Sequence, residues 1–147
     1  MKKQKQNILN VSLTLIAIYL YSFTANNIET EILGFNSFKF LITIAVLIQF
    51  LIFLPSFMFQ TEKFYDLTGS LTYISVTSIA YFSIENPSTT DTILFLYVII
   101  WAGRLGIFLF RRINKDGKDE RFDKAKKKFF WFLQYWMGQA AWVVFTA

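Results

Sequence analysis

The sequence predicts an all-α fold, a polytopic membrane helical bundle of about five transmembrane helices with a cytoplasmic N-terminus. Three observations predict it. Hydrophobic residues make up 54% of the 147-residue chain and aromatic residues 20%, more than an ordinary soluble domain carries. Five long stretches are almost free of charge, and most basic residues lie between them. This composition excludes disorder and nucleic-acid binding as the main role, and we expect one membrane domain over residues 1–147.

The chain contains neither cysteine nor histidine. This excludes disulfides, thiolate zinc sites, haem held by histidine, and nucleophiles activated by a histidine base. We therefore expect no metal site in this protein.

The predicted spans are five apolar stretches close to the roughly 20 residues that a transmembrane helix needs. They cover residues 8–25, 40–59, 67–84, 92–110 and 129–147. Four of them contain no charged residue, and only Arg104 interrupts the fourth. A soluble core is a poor competitor because almost no polar face remains to meet water.

The orientation follows from the basic residues. The N-terminal tail, the connection 60–66 and the connection 111–128 together hold 13 of the 15 Lys and Arg residues. The opposite connections, 26–37 and 85–91, contribute Glu29, Glu31, Glu85 and Asp91 but no basic residue. The positive-inside rule therefore predicts a cytoplasmic N-terminus and a cytoplasmic basic loop over residues 111–128.

The first span has an alternative interpretation. A basic start followed by an apolar stretch is also the pattern of a signal peptide. The stretch is long and rich in aromatic residues, and no small-x-small cleavage site follows it, which favours a retained span.

The segment 60–70 joins the second and third spans. One hypothesis makes Asp66 the N-cap of the third span, with Phe64 and Tyr65 as interfacial anchors. The other lets Glu62, Tyr65 and Asp66 meet Arg104 or a substrate on the cytoplasmic side. The third span itself is rich in Ser and Thr, whose hydroxyls tend to face neighbouring helices.

The fourth span contains Arg104, and a charged residue inside a span costs about 2.5–3.5 kcal/mol on insertion scales. It is therefore a functional candidate, although its side chain can also snorkel to the surface beside Arg111, which lies on the same helical face. Ala102 and Gly106 form a small-x-x-x-small pair, which predicts close packing of this span against another helix.

The basic loop 111–128 leaves three interpretations open. It can be a topology signal and polybasic patch on anionic lipid, or a solvated helix, since Glu120 with Lys124 and Asp123 with Lys127 are four residues apart. It can also hold phosphate groups. The residues for that third role are Arg112, Gly117, Lys118 and Arg121.

The fifth span is the most aromatic. Aromatic residues at its start fit an interfacial belt. Gln134 and Gln139 are polar residues in a costly place, and we expect them to face a cavity or a partner helix.

Four ordered blocks carry a resemblance to a known family. They are residues 62–71, 101–106, 111–122 and 136–142. In this order they resemble the bacterial DUF1295 branch of the steroid 5-alpha-reductase-like membrane proteins. The resemblance implies an integral protein of the bacterial inner membrane that binds NADPH from the cytoplasm and reduces a carbon-carbon double bond in a lipid-like substrate. The wider superfamily includes methyltransferases that use S-adenosylmethionine, which is the alternative cofactor.

The resemblance also implies roles for individual residues. Tyr65 and Asp66 are the catalytic candidates, with Tyr65 as a hydrogen-bond donor to the substrate oxygen, and Gly69 belongs to the same block. The expected cofactor-binding residues are Arg104, Arg112, Gly117, Asp119 and Arg121.

The resemblance covers the front half of such an enzyme, because the Arg-His-Pro-Asn-Tyr run of the family's second half does not occur here. We therefore expect a complete active site to require a C-terminal half or a partner membrane subunit. The alternative function is a non-catalytic membrane protein whose basic loop binds anionic lipid or a partner subunit. The expected partners are membrane lipid and a lipid-like small molecule, with no nucleic acid.

Overall fold

The computed structural model describes residues 2–24 and 31–147, and it is 76% helical. Its helices are α1 (Lys2–Tyr21), α2 (Ser37–Met58), α3 (Tyr65–Phe82), α4 (Thr89–Asp116) and α5 (Phe129–Thr146). They correspond in number and order to the five predicted spans. Glu29, which contributed to the predicted charge asymmetry, lies outside the described residues.

A small hairpin precedes α2 and was not predicted. Strand β1 (Glu31–Ile32) pairs antiparallel with β2 (Phe35–Asn36). Leu33 and Gly34 both have positive φ, 55° and 78°, as a two-residue turn between strands of a twisted hairpin requires. Asn36 then begins α2, because its side chain accepts a hydrogen bond from the Lys39 amide at 3.1 Å.

Helix α4 is longer than the predicted fourth span at both ends. It starts after a capping box in which Ser88 and Asp91 bond to each other's backbone amides. It ends only at Gly117, whose left-handed φ of 78° turns the chain out of the helix. The first six residues of the predicted basic loop are therefore helical, and only residues 117–128 form the connection to α5.

The predicted N-cap of the third span is wrong. Helix α3 begins at Tyr65 after Phe64, which makes no side-chain capping bond. Asp66 lies inside the first turn of the helix instead. Its carboxylate is still near the positive end of the helix dipole, but it remains available for contacts with other elements.

The helices alternate in direction. Lys3 at the start of α1 and Lys128 before α5 line one cavity, whereas Tyr21 at the end of α1 contacts the ring of Phe145 near the end of α5. Lys126, in the connection 117–128, reaches Glu62 between α2 and α3. The start of α1, the segment 60–64 and the connection 117–128 therefore lie at one end of the bundle, called the basic end below. The basic residues that were predicted to precede the first span belong to α1 itself.

The centre of the bundle is tightly packed. Phe53, Phe132 and Trp136 are fully buried near the basic end. The close packing predicted for the fourth span is confirmed, since Ala102 is fully buried and a Cβ on Gly106 would lie 2.7 Å from the Cβ of Ser70. The hydroxyl residues of the third span also face their neighbours as predicted: they include Thr68, Ser70 and Thr72, all buried.

Two helices within the described residues, α2 and α4, are long and apolar enough to cross a membrane. Only 11% of the most apolar part of α4 is buried within the bundle, against 28% for α2. Helix α4 packs mainly against α3 and leaves much of its apolar surface uncovered.

Candidate functional site

The connection 117–128 folds back onto the bundle through Glu62. This carboxylate is 5% exposed. Its Oε1 accepts a hydrogen bond from the Asp119 amide at 3.0 Å, and its Oε2 accepts one from Lys126 Nζ at 2.7 Å. One buried side chain from the segment between α2 and α3 thus holds both ends of the connection.

Phe122 anchors the middle of the same connection. It is 1% exposed, and its ring lies 4.9 Å from the rings of both Tyr65 and Tyr135. Ala125 is fully buried as well. The hypothesis that this segment forms a solvated helix is therefore wrong: residues 120–127 form successive turns, because two apolar side chains and Glu62 hold the backbone against the bundle.

Four side chains form a carboxylate–guanidinium cluster at the basic end: Asp66, Arg112, Asp119 and Arg121. Arg121 donates from Nε to Asp119 at 2.9 and 3.0 Å and from Nη2 at 2.6 Å. Asp66 lies 3.6 Å from Arg112 Nη2 and 3.9 Å from Arg121 Nη2. Arg112 Nη2 also lies 4.0 Å from Asp119. The cluster thus joins the start of α3, the end of α4 and the connection that follows it.

The pKa values of the two carboxylates in the cluster are shifted in opposite directions. The hydrogen bond from Arg121 lowers the pKa of Asp119, and the same bond raises the pKa of Arg121. Burial raises the pKa of Asp66, although Arg121 and Arg112 partly oppose this shift. Asp119 is therefore firmly ionised, whereas Asp66 is the carboxylate of the cluster that holds a proton more readily.

An open cleft of about 490 Å³ lies beside the cluster. Its charged lining comprises Asp66, Arg112, Asp116, Lys118, Asp119, Glu120 and Arg121. The side chains of Arg112 and Arg121 are 43% and 56% exposed, so their remaining N–H donors can reach a ligand in the cleft. The donor set fits one phosphate-type oxyanion, since a guanidinium binds such a group through paired N–H donors.

Tyr65, the residue before Asp66, packs into the bundle interior. Its hydroxyl donates to the carbonyl oxygen of Tyr135 at 3.0 Å, and its ring contacts the edge of Trp136. Burial raises the pKa of Tyr65 well above its ordinary value, so the hydroxyl keeps its proton at neutral pH. The interpretation of Tyr65 as an interfacial anchor is therefore wrong, whereas Phe64 is 45% exposed and fits that role.

A second cavity, of about 330 Å³, is lined in part by Tyr65. Gln134, Gln139 and Trp142 line it, which confirms the prediction that the two glutamines face a cavity. The Oε1 atoms of both glutamines are buried and have no hydrogen-bond partner within residues 2–24 and 31–147. The Gln139 amide also lies against Gly69, where an added Cβ would come 2.8 Å from Gln139 Cδ.

Arg104 is the predicted site residue that lies apart from the cluster. It is exposed on α4 and lines a shallow groove with Arg111, as their spacing predicted. The hypothesis that Glu62 or Asp66 meets Arg104 is wrong, because these carboxylates bind Lys126 and the Arg112–Arg121 pair instead. Gly117 provides the turn that brings Asp119 and Arg121 back to Asp66.

Two residues of this region were not singled out from the sequence. Lys126 looked like one member of a lysine run, and nothing local distinguishes it from its neighbours. Phe122 carried a usable signal, because it is a large apolar residue within a strongly charged segment, and such a residue tends to be buried.

The sequence model of one protein family, described as "Protein of unknown function (DUF1295)", matches residues 52–147. The matched segment contains Glu62, the cluster and the residues that line the cleft and the second cavity. No curated protein and no solved structure matches the chain.

Proposed function

Because the chain belongs to the DUF1295 family, we propose that it is an NADPH-dependent oxidoreductase of the steroid 5-alpha-reductase-like type in the bacterial inner membrane. It reduces a carbon-carbon double bond in a lipid-like substrate, with the basic end on the cytoplasmic side. A C-terminal half or partner membrane subunit completes the active site.

The membrane placement is supported by the surface of the bundle. Helices α2 and α4 have the length and apolarity of spans. Large apolar side chains on α4 face outward, among them Tyr97, Ile100 and Phe108, which are 71%, 67% and 62% exposed. Such a surface is unfavourable in water but is solvated by lipid chains. The gathering of basic residues at one end agrees with a cytoplasmic location of that end.

The observation that carries the proposal is the meeting of Asp66 with Arg112 and Arg121 at an open cleft. NADPH supplies a hydride when it is bound. Arg112 and Arg121 would hold one of its phosphate groups through the donors that face the cleft. Asp66 and Asp119 orient these guanidinium groups, which reduces the entropy lost on binding.

The cavity beside Tyr65 is proposed to bind the polar end of the substrate. Tyr65 keeps its proton at neutral pH. Its single O–H would leave the Tyr135 carbonyl to donate to a substrate carbonyl oxygen that gains negative charge during reduction. The side-chain amides of Gln134 and Gln139 line the same space and supply further polar contacts. The catalytic roles of Tyr65 and Asp66 stay predictions.

The test is a thermal unfolding titration of the purified full chain in detergent micelles, with NADPH and, separately, S-adenosylmethionine. Ligand at about 100 times its Kd stabilises a protein by about 2.7 kcal/mol. We expect NADPH to raise the unfolding midpoint of the wild type and of Lys124→Gln, a matched control at an exposed residue outside the cleft. Arg121→Gln should abolish the rise. A response to S-adenosylmethionine alone would replace the reductase with a methyltransferase.

A second candidate function is a non-catalytic membrane protein. It is favoured by the charge of the cleft, whose lining holds the carboxylates of Asp66, Asp116, Asp119 and Glu120 against three cationic side chains. Such a cleft attracts a polyanion only weakly, and the cluster would then serve to hold the connection 117–128 in place. If neither ligand shifts the midpoint even when the C-terminal half or partner subunit is supplied, this second function stands and the enzyme proposal fails.

A further inference from the structure

A stripe of basic side chains runs along the uncovered face of α4. At about 100° per residue, Arg104, Arg111 and Lys115 lie within about 20° of one line along the helix. The buried residues Ala102 and Gly106, which pack on α3, lie on the opposite side. The stripe therefore faces away from the bundle.

The three cations of the stripe have no hydrogen-bond or ion-pair partner in the part of the chain that the structure describes. Arg112, one residue further along the same helix than Arg111, is bound to Asp66 and Asp119. The unpartnered cations line a shallow groove of about 580 Å³ together with Ile107, Phe108, Arg112 and Asp116.

The same line of α4 is apolar toward the other end of the helix. Ile93, Tyr97 and Ile100 are 47%, 71% and 67% exposed, and they lie within about 40° of the line through Arg104. The backbone between residues 93 and 104 spans about 16 Å. One face of the helix thus presents positive charge near the basic end and apolar surface over a length comparable to an acyl chain.

We propose that this face of α4 binds one anionic phospholipid. Its phosphodiester headgroup lies between Arg104 and Arg111, with Lys115 at the rim, and an acyl chain follows the apolar part of the stripe. The proposal rests on the membrane placement given above but not on the reductase activity.

The chemistry selects a lipid over other occupants. Arg104 would be costly within a bilayer without a counter-charge, and a phosphodiester supplies one while accepting paired guanidinium N–H bonds. A soluble nucleotide or inorganic phosphate would satisfy the cations but leave the adjoining apolar residues uncovered. A zwitterionic lipid would cover the apolar residues without a net charge to offset the cations.

The experiment uses native mass spectrometry of the full chain after reconstitution in nanodiscs of phosphatidylcholine mixed with phosphatidylglycerol. We expect the wild type and Lys124→Gln to retain phosphatidylglycerol selectively. Arg104→Gln should reduce that retention about tenfold or more, the loss expected for a charge-assisted hydrogen bond. Retention of phosphatidylcholine and the circular dichroism spectrum should stay unchanged, which would show that the variant is folded.

Three results would overturn the inference: equal retention of the two lipids by the wild type, equal losses in Arg104→Gln and Lys124→Gln, or displacement of phosphatidylglycerol by inorganic phosphate alone. Alkaline carbonate extraction separates this failure from failure of the membrane placement, since release of the protein from membranes would remove the basis of both. Selective lipid retention without any response to NADPH, even with the C-terminal half or partner subunit supplied, would refute the reductase and leave the lipid site standing.

Discussion

Removing the carboxylate of Glu62 is expected to release the connection 117–128 from the bundle. In Glu62→Ala, the Asp119 amide loses its acceptor and Lys126 Nζ loses a partner at 2.7 Å. The Lys126 side chain is only 18% exposed, so its charge would remain in a poorly solvated place. Asp123, 3.8 Å from Lys126 Nζ, offsets part of this cost.

The expected magnitude follows from these contacts. Breaking a buried ion pair by removing one partner costs about 3–5 kcal/mol, and the remaining Asp123 contact favours the lower end. A local free-energy loss of about 3 kcal/mol corresponds to a roughly 100-fold larger equilibrium constant for local opening of the connection, and hence to faster amide exchange. Glu62→Gln keeps an oxygen for the Asp119 amide, so its loss should be nearer 1.5 kcal/mol, or about tenfold.

Amide hydrogen exchange, measured by mass spectrometry on peptides within residues 117–128, provides the assay. The matched control is Lys118→Gln, which breaks the pair with Asp123 at 3.5 Å between side chains that are 60% and 38% exposed. An exposed pair contributes about 0–1 kcal/mol, so the control should change exchange less than about fivefold. Similar exchange in Glu62→Ala and in the control would refute the argument that the buried pair holds this connection.

Two further predictions concern the helix contacts and the cluster. Gly69→Ala should destabilise the bundle by about 1–3 kcal/mol, because the added methyl group overlaps Gln139. Gly103→Ala is the control: its added methyl group meets no atom within 4 Å, so it should be neutral or stabilising. Equal effects of the two variants in thermal unfolding would refute the packing argument. The stabilisation from Asp119 should be complete above its unfolded pKa of about 3.9 and be lost as pH falls through its lowered folded pKa. The raised pKa of Asp66 acts oppositely, so its contribution falls as pH rises between about 3.9 and the folded pKa. In the wild type, Asp119 should make the unfolding midpoint rise with pH in the acidic range, and Asp66 should make it fall. Asp119→Asn should remove the first dependence and Asp66→Asn the second. Changes of the same sign in both variants would contradict the assignment.

The number and order of the helices could be predicted from the sequence, because apolar runs of this length leave few alternatives. The helix ends were less predictable. The extension of α4 to Asp116 depends on Gly117, which stops the helix only by adopting a positive φ. The start of α3 at Tyr65, without any side-chain cap, has no local signal at all.

Whether a contact of the site could be predicted depended on how far apart its two residues lie along the chain. The same-face relation of Arg104 and Arg111 was predictable because it follows from the period of one helix. The pairing of Glu62 with Lys126 was not, since these residues are 64 positions apart and several other lysines lie nearby. Burial of Phe122 decides this pairing, because it fixes which side of the connection faces Glu62.

Arg104 and Arg112 show why residue type and motif alone cannot assign a binding site. Both were expected to bind the cofactor, yet eight residues of α-helix separate them by about 12 Å and turn them about 80° apart. Of these two arginines Asp66 meets Arg112 alone, so Arg112 is held in the cluster, although it also lines the edge of the groove that contains Arg104. Arg112→Gln should therefore reduce the NADPH response and leave phosphatidylglycerol retention intact, and Arg104→Gln should do the reverse. If each variant instead lost both signals, the two surfaces would form one continuous anion site around the end of α4, and the separation argued from Asp66 would be wrong.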